Sequence, residues 1–186
     1  STWKRDKKIA SFCKQHHIVW QESQRDGILR GIKNRINWNQ QWHDTMQTPL
    51  IQNTYSISKQ KKLKHSFLLP NELEIKLKEY PNKYQPAGEE NAWRYIKSFI
   101  IKRGLNYQKH ISKPTESRLS CSRLSPYLAW GNLSIKQAYN FIDSQPRGIK
   151  NRRAFSGMLT RLHWHCHFIQ KFEVACSYET HCINRG

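Results

Sequence analysis

Apolar residues recur at helical spacing in two stretches near the amino terminus, residues 5–17 and 28–46, and we predict an amphipathic helix in each. Between them, residues 18–20 (Ile-Val-Trp) form a short candidate strand. This helix–strand–helix order is typical of the end of a doubly wound α/β domain, which we assign to residues 1–48. The core candidates of the two helices are Ile9, Phe12, Cys13, Leu29, Ile32, Ile36 and Trp42.

The pattern is helical again from Glu89 onward. A first helix is predicted to end at Gly104, and Ser134 is predicted to cap a second helix that stops before Pro146. A last, long helix is predicted over Ala154–Val174. The inward positions of the first two helices are predicted to be Ala92, Ile96, Phe99, Ala138, Phe141 and Ile142.

Residues 49–85 lose this periodicity and contain the basic run 59–65 (Lys-Gln-Lys-Lys-Leu-Lys-His). We interpret them as a linker between residues 1–48 and a helical domain at 86–186. A solvated charge run is the favoured interpretation of 59–65, and contact with a DNA backbone is the alternative. The predicted fold class is mainly α: the end of a doubly wound α/β domain followed by the first half of an all-helical domain.

A projection of the last helix separates two faces. Trp164 and Phe168 fall beside Arg161 and Lys171, away from the main apolar stripe. Aromatic rings interleaved with cations suit stacking against a base or another ring system. A second packing face is the equal alternative. The main apolar stripe consists of Phe155, Met158, Leu159, Leu162, Ile169 and Phe172.

The net charge of the chain indicates the kind of partner that it binds. The 186 residues include 32 Lys and Arg against 13 Asp and Glu, a formal net charge of +19. Such an imbalance favours binding to a polyanion, because neutralising phosphates releases counterions; a basic but inert surface is the alternative. The length is that of one ordinary domain or two partial ones.

The sequence contains no apolar run of the roughly 20 residues that a membrane-spanning helix needs, and no signal-peptide pattern. Its five cysteines are odd in number and irregularly spaced, which does not indicate a disulfide framework. We therefore predict no membrane partner and a reducing, cytoplasmic location.

Residues 120–134 (Ser-Cys-Ser-Arg-Leu-Ser-Pro-Tyr-Leu-Ala-Trp-Gly-Asn-Leu-Ser) carry the strongest chemical signal. Unpaired backbone N–H groups at a helix start suit an anion, and Ser122, Arg123 and Ser125 add two hydroxyls and a cation there. The segment is thus a candidate pyrophosphate cradle. From these residues alone, a plain cap is favoured, with Ser125 as N-cap and Pro126 as the first helical residue.

Residues 121–134 resemble the flavin-phosphate segment of the photolyase/cryptochrome family, whose usual form is Thr-Ser-Arg-Leu-Ser-Pro-Tyr-Leu followed by Gly-x-Leu-Ser. Residues 88–92 (Gly-Glu-Glu-Asn-Ala) resemble the Gly-Glu-x-x-Ala that starts the family's helical domain. Residues 159–168 resemble the family helix that carries a tryptophan facing the lesion pocket. Residues 5–42 are similar to the last part of the family's α/β antenna domain, so the resemblance covers nearly the whole chain.

The resemblance implies that residues 86–186 belong to a helical FAD-binding domain. It implies that Trp164 faces the lesion, with Trp164 and Lys171 contacting nucleic acid. His165 is a second catalytic candidate, because a histidine can donate a proton near neutral pH. The implied cofactor-binding residues are Tyr107, Cys121, Ser122, Arg123, Leu124, Ser125, Arg161 and Phe168.

Three positions depart from the family pattern. Cys121 replaces the usual threonine and so removes a hydroxyl. Arg161 and His165 stand where the family's repair enzymes carry a glutamate that hydrogen-bonds the damaged pyrimidine and an arginine. A cation in place of a carboxylate inverts the local charge and removes an acceptor. A different lesion, a different binding pose or a signalling role would each accommodate this change.

Histidines and cysteines near the carboxyl end invite comparison with a metal site. His163 and His167 are four residues apart, a spacing that lets two imidazoles on a helix share an ion. However, Trp164 stands where a metalloprotease has its glutamate, and no Cys-x-x-Cys pair is present. We therefore predict no metal and favour packing or pocket histidines. The cluster consists of His163, His165, Cys166, His167, Cys176, His181 and Cys182.

The resemblance implies a flavin-dependent, photolyase-like protein that repairs pyrimidine photoproducts in DNA by light-driven electron transfer from reduced FAD, a deoxyribodipyrimidine photo-lyase type of enzyme. One alternative is a cryptochrome-type photoreceptor without repair, and another is a non-catalytic, basic nucleic-acid-binding chain. We expect a monomeric fragment of a longer protein, inactive by itself, because the family's second helical half supplies further flavin contacts. A second, antenna chromophore is left open.

Overall fold

The computed structural model describes residues 2–52, 68–79 and 84–182. These residues form helices and connecting segments without a strand, so the predicted mainly α class is confirmed for them. The α-helices are α1 (Thr2–Gln15), α2 (Trp38–Gln47), α3 (Asn71–Lys78), α4 (Glu89–Ile101), α5 (Tyr107–His110), α6 (Ser117–Ser120), α7 (Ser125–Ala129), α8 (Ile135–Asp143) and α9 (Arg152–Val174). Short 3₁₀ turns span Arg103–Asn106, Pro114–Glu116 and Cys176–Glu179.

Helix α8 begins where the sequence indicates. Its N-cap Ser134 accepts a hydrogen bond on Oγ from the backbone N–H of Gln137 at 3.0 Å, and the backbone N–H of Ser134 donates to Gln137 Oε1 at 2.8 Å. This reciprocal capping box satisfies two N–H groups that would otherwise lack a partner. Of its predicted inward residues, Ala138 and Ile142 are buried and Phe141 is partly buried.

Helix α4 buries the three predicted residues Ala92, Ile96 and Phe99. It ends at Ile101, three residues before the predicted stop, and Gly104 lies in the following 3₁₀ turn. A Cβ at Gly104 would lie 2.7 Å from the carbonyl oxygen of Phe99. The glycine therefore permits a close backbone approach, rather than closing the helix in a left-handed conformation.

The long helix α9 confirms the first half of its predicted apolar stripe. Phe155, Met158 and Leu162 are buried, whereas Ile169 is exposed. The buried line continues instead through two residues that the stripe omitted, Cys166 and Gln170. A spacing of four residues drifts around the helix, and it carries the second half of the buried line away from Ile169.

The predicted strand at residues 18–20 is wrong. The segment follows the end of α1 and a left-handed residue, His17, with φ of 56°. Its side chains are exposed, and the described residues offer no other strand with which it could pair. A strand without a partner leaves its backbone hydrogen bonds unmade, so hydrophobic β-branched residues alone do not form one.

The predicted helix over 28–46 forms only in its second half, as α2. Gly27 and Gly31 take left-handed φ values of 69° and 74°, and Asn34 accepts a hydrogen bond on its side chain from the backbone N–H of Ile36. These turns replace the first half of the helix. Ile36, a predicted core residue, is exposed as a result.

Helix α2 nevertheless contributes residues to the hydrophobic core. Trp38, Trp42 and Met46 are buried in the same cluster as residues of α4, α8 and α9. Trp38 donates a hydrogen bond from Nε1 to the carbonyl of Gly27 at 2.9 Å. Residues 38–46 thus pack against the segment 86–186, while the domain boundaries assigned from sequence stay predictions.

Helix α1 buries Cys13 but leaves Ile9 and Phe12 exposed, so its predicted apolar face is only partly covered. Within the predicted linker, α3 has no buried residue. The basic run at 59–65 lies outside the described residues. No helix in the described part of the chain is long and apolar enough to cross a membrane.

Candidate functional site

A cleft of about 540 Å³ opens between the segment 117–126, α5 and the middle of α9. Its volume lies within the range of small-molecule pockets in proteins. Its lining combines apolar side chains with hydroxyl, thiol and cationic groups. The lining residues are Gln85, Tyr107, Ile111, Ser117, Cys121, Ser122, Arg123, Leu124, Ser125, Pro126, Leu128, Met158, Arg161, Leu162 and His165.

Most of the site residues predicted from sequence line this one cleft. On α9, Arg161 and His165 are four residues apart and therefore share a face, on which they point into the cleft. Trp164, Phe168 and Lys171 are not among the lining residues. The predicted residues that the cleft brings together are Tyr107, Cys121, Ser122, Arg123, Leu124, Ser125, Arg161 and His165.

The backbone of the cleft wall is held in an uncommon conformation. After α6 the chain is extended at Cys121, with φ of −86° and ψ of 160°, and Arg123 is left-handed, with φ of 59°. Gln85 donates a hydrogen bond from Nε2 to the carbonyl of Arg123 at 2.9 Å. A left-handed residue that is not glycine costs about 1–3 kcal/mol and persists where its surroundings hold it. This strain makes the wall a candidate functional element.

Arg103 holds the same wall from behind, and sequence reasoning missed it. Its guanidinium donates to the carbonyls of Cys121, Ser122 (3.2 Å) and Tyr95 (2.6 Å), and to Ser98 Oγ (3.0 Å). Burial lowers its pKa. A lone arginine after an amphipathic helix offers no sequence signal for this role, because its acceptors are mostly backbone atoms of a distant segment.

The predicted cap at Ser125 is wrong. The N-cap of α7 is Leu124, which makes no side-chain capping bond, and Ser125 is the first helical residue. Because α7 has only five residues, its dipole adds little to anion binding. The side chains of Ser122, Arg123 and Ser125 make no hydrogen bond to another residue in the described part of the chain. They are therefore available to a ligand.

The titratable groups in the cleft give it a positive character. Burial raises the pKa of Tyr107 to about 12, and burial also raises the pKa of the Cys121 thiol, so both groups are neutral at physiological pH. Arg123 and Arg161 supply positive charge, and none of the described lining residues is acidic. The cleft is therefore suited to an anionic group attached to an apolar body.

The aromatic face of α9 lies beside the cleft. Trp164 is 45% exposed, and the Arg161 guanidinium stands 4.6 Å from the centroid of its ring; Phe168 is 62% exposed. Lys171 Nζ lies 5.9 Å from the ring of Tyr178. The prediction that these aromatics avoid the core is confirmed, because neither is buried. Their role in stacking stays a prediction.

Two histidines of α9, His163 and His167, pack on α2. His163 lies against Trp38 and Trp42, with ring centroids 5.2 and 4.7 Å away, and stacks on His43 at 5.7 Å. Its Nε2 is buried without a hydrogen-bond partner. Within the residues that the structure describes, no group of three potential ligands is arranged around a metal ion. All five cysteines are free thiols.

This histidine cluster makes stability depend on pH. Burial, then His43 and His167, lowers the pKa of His163; burial, then Arg35 and Lys171, lowers the pKa of His167. The unfolded chain, with histidine pKa values near 6.5, therefore binds more protons than the folded protein, so stability falls as pH drops below about 6.5.

We expect a lower midpoint of thermal unfolding at pH 5.5 than at 7.5. His163→Gln should reduce that difference, whereas His181→Gln, at an exposed site, should leave it unchanged; equal effects would contradict the assignment.

Comparisons with protein-family models, with curated proteins and with solved structures give no match to this chain. Function is therefore inferred from the residues that meet in the cleft and from the sequence resemblance of residues 121–134.

Proposed function

We propose that the cleft binds the phosphate-bearing part of FAD in a flavin-dependent protein of the photolyase/cryptochrome type. The observation that carries the proposal is that eight of the site residues predicted from sequence line a single cleft. They come from three separate segments of the chain, so their meeting does not follow from closeness in sequence.

The residues present fit a dinucleotide phosphate. Arg123 and Arg161 provide positive charge, and Ser122 and Ser125 provide hydroxyl donors beside them. Leu124, among the apolar lining, would contact the less polar parts of the cofactor. The neutral Tyr107 and Cys121 add no negative charge that would repel the phosphates.

A bound reduced flavin would supply, on absorbing light, the electron that opens a pyrimidine photoproduct in DNA. In this proposal the protein's own groups position the lesion and control its protons. His165, which lines the cleft, would hold or donate a proton. Trp164, exposed next to Arg161, would stack on a base turned out of the duplex. The chain's finer assignment to an antenna-domain end followed by part of an FAD domain belongs to the same proposal.

A cryptochrome-type photoreceptor is the second candidate, and Arg161 is the observation that favours it. This cation faces the cleft and the Trp164 ring, where the family's repair enzymes place a carboxylate acceptor. Flavin binding without light-dependent loss of pyrimidine photoproducts from DNA would support the receptor. A non-catalytic, basic nucleic-acid-binding chain, the third candidate, predicts DNA binding and no flavin binding; the net charge of +19 favours it.

The test compares FAD with riboflavin, which has the same ring system and no phosphate. We expect the purified chain to bind FAD more tightly in equilibrium dialysis. Arg123→Gln should weaken FAD binding about tenfold or more, because losing a charge-assisted hydrogen bond costs about 1.5–3 kcal/mol, and it should leave riboflavin binding unchanged.

Arg118→Gln is the matched control, because this exposed arginine of α6 does not line the cleft. It removes the same charge without removing a phosphate contact. Equal binding of FAD and riboflavin, or an equal loss in the two variants, would count against the proposal.

A further inference from the structure

The left-handed backbone at Arg123 is held by a residue from a distant segment, the end of the predicted linker. Gln85 lines the cleft, and its Nε2 donates a hydrogen bond to the carbonyl of Arg123 at 2.9 Å, across 38 positions of sequence. Sequence reasoning missed Gln85, because a single glutamine in an irregular segment gives no signal. The hydrogen bond joins the end of the linker to the candidate anion site.

Pro86 fixes the place from which Gln85 reaches the wall of the cleft. A residue that precedes a proline is restricted to extended backbone, and the proline itself has a nearly fixed φ. The carbonyl of Pro86 accepts a hydrogen bond from the hydroxyl of the buried Tyr127 at 2.8 Å. The two hydrogen bonds therefore tie residues 85–86 to both ends of the segment 123–127.

Arg123 needs such a restraint to keep its conformation. Its φ of 59° lies in the left-handed region, which is unfavourable for a residue that carries a side chain. If the carbonyl of Arg123 were released, rotation to a negative φ would relieve this strain and turn the side chain in a new direction. The hydrogen bond from Gln85 opposes that rotation, because it holds the peptide group that follows Arg123.

Electrostatic repulsion also acts against the observed position of the Arg123 guanidinium. Burial first, and to a lesser extent the nearby charge of Arg123, lower the pKa of Arg103, so the two guanidinium groups repel each other. None of the described residues that line the cleft is acidic. A bound anion would offset this repulsion, because it attracts both cations.

We propose that Gln85 is a positioning residue for the anion site. Its hydrogen bond holds Arg123 in the left-handed conformation, and that conformation directs the guanidinium to a phosphate in the cleft. Gln85 acts through Arg123, which carries the charge. The identification of the anion as the pyrophosphate of FAD rests on the proposed function, whereas the coupling between Gln85 and Arg123 does not. The end of the linker is thus part of the site.

The test measures binding of inorganic pyrophosphate and of FAD by isothermal titration calorimetry. Gln85→Met keeps the length of the side chain and removes the donor. We expect it to weaken the binding of both ligands about two- to tenfold, the usual effect of losing one hydrogen bond between uncharged groups. In a chain that already carries Arg123→Gln, the same change should have an effect of about twofold or less, because the residue through which Gln85 acts is gone.

Gln108→Met is the matched control. Gln108 Nε2 also donates to an arginine carbonyl, that of Arg153, at 2.8 Å, but Gln108 does not line the cleft. The control loses the same kind of hydrogen bond and should bind both ligands as tightly as the unaltered chain. Affinities are compared per folded molecule, with the folded fraction of each variant measured by far-ultraviolet circular dichroism.

Three results would overturn the positioning role of Gln85. The first is unchanged binding in Gln85→Met, and the second is an equal loss in Gln85→Met and Gln108→Met. The third is an equal effect of Gln85→Met with and without Arg123→Gln, since Gln85 would then act independently of Arg123.

The positioning role and the flavin proposal fail separately. Pyrophosphate binding that depends on Gln85 through Arg123, in a chain that binds no FAD, would overturn only the flavin proposal. FAD binding that depends on Arg123 and is indifferent to Gln85→Met would overturn only the positioning role. Binding of neither ligand would overturn both.

Discussion

Replacing Trp42 by alanine is expected to lower the free energy of unfolding by about 3–5 kcal/mol, the usual cost of removing a large buried aromatic side chain. Trp42 is fully buried, and its ring meets His163 at 4.7 Å and Tyr139 at 5.4 Å between centroids. It also lies under Gly27, where a Cβ would stand 2.8 Å from its Cδ1. Alanine would therefore leave a cavity and remove the contacts of this ring with three segments of the chain. Urea unfolding followed by circular dichroism measures the change.

Trp130→Ala is the matched control, because this tryptophan is 85% exposed. The same atoms are removed there without a buried cavity, so we expect a change within about 0.5 kcal/mol. Trp42→Phe keeps an aromatic ring in the site and should fall between the two. Similar losses for Trp42→Ala and Trp130→Ala would show that α2 does not belong to the core.

Replacing Arg103 by methionine should have the second-largest effect. The change removes the donors to the carbonyls of Tyr95, Cys121 and Ser122, and hydrogen bonds to a charged group contribute about 1.5–3 kcal/mol each. We therefore expect urea unfolding to give a free energy of unfolding that is lower by at least about 1.5 kcal/mol, the contribution of one such hydrogen bond. FAD binding should weaken as well, because the left-handed Arg123 is next to the released backbone.

Arg103→Lys keeps the positive charge but replaces a planar, forked donor with a compact ammonium, which cannot satisfy all of these acceptors together. It should therefore recover only part of the stability and part of the FAD affinity. Full recovery by lysine would mean that charge alone, and not the geometry of the guanidinium, holds the wall of the cleft.

The elements that follow from local signals could be predicted from sequence. In α8, the Ser134–Gln137 capping box and the apolar spacing act within a few residues of each other, and both agree with the structure. The same holds for the buried face of α4, since its apolar residues recur at the helical period. Such signals need no knowledge of distant partners.

The elements that depend on distant partners could not be predicted. Residues 18–20 have the composition of a strand, but no second strand in the described part of the chain pairs with them. Residues 28–37 have helical spacing, but the left-handed turns at Gly27 and Gly31 prevent a helix there. Apolar spacing alone cannot distinguish a regular element from a turn or an irregular segment, because it shows which residues are apolar and not which residues pack against them.

In the candidate site, too, the residues with a local sequence signal could be predicted and those that depend on distant partners could not. The motif at 121–125 and the α9 residues Arg161 and His165 were found from sequence, and they meet in the cleft. Arg103 was missed because its acceptors are mostly backbone oxygens, which have no sequence signature. Trp164 and Phe168 fall just outside the cleft because they lie on a neighbouring face of the same helix.

The buried Gln170 has a consequence for how the molecule responds to salt. Its amide accepts from the backbone N–H of Leu29 at 2.6 Å and donates to the Leu29 carbonyl at 2.8 Å. Nearby, Arg30 joins the same segment to Asp6, Glu22 and Glu173 through ion pairs that dissolved ions screen. The neutral amide pair is not screened. Raising the ionic strength therefore weakens the ion pairs of Arg30 and leaves the hydrogen bonds between Leu29 and Gln170 in place, so the segment stays attached to α9 at high salt.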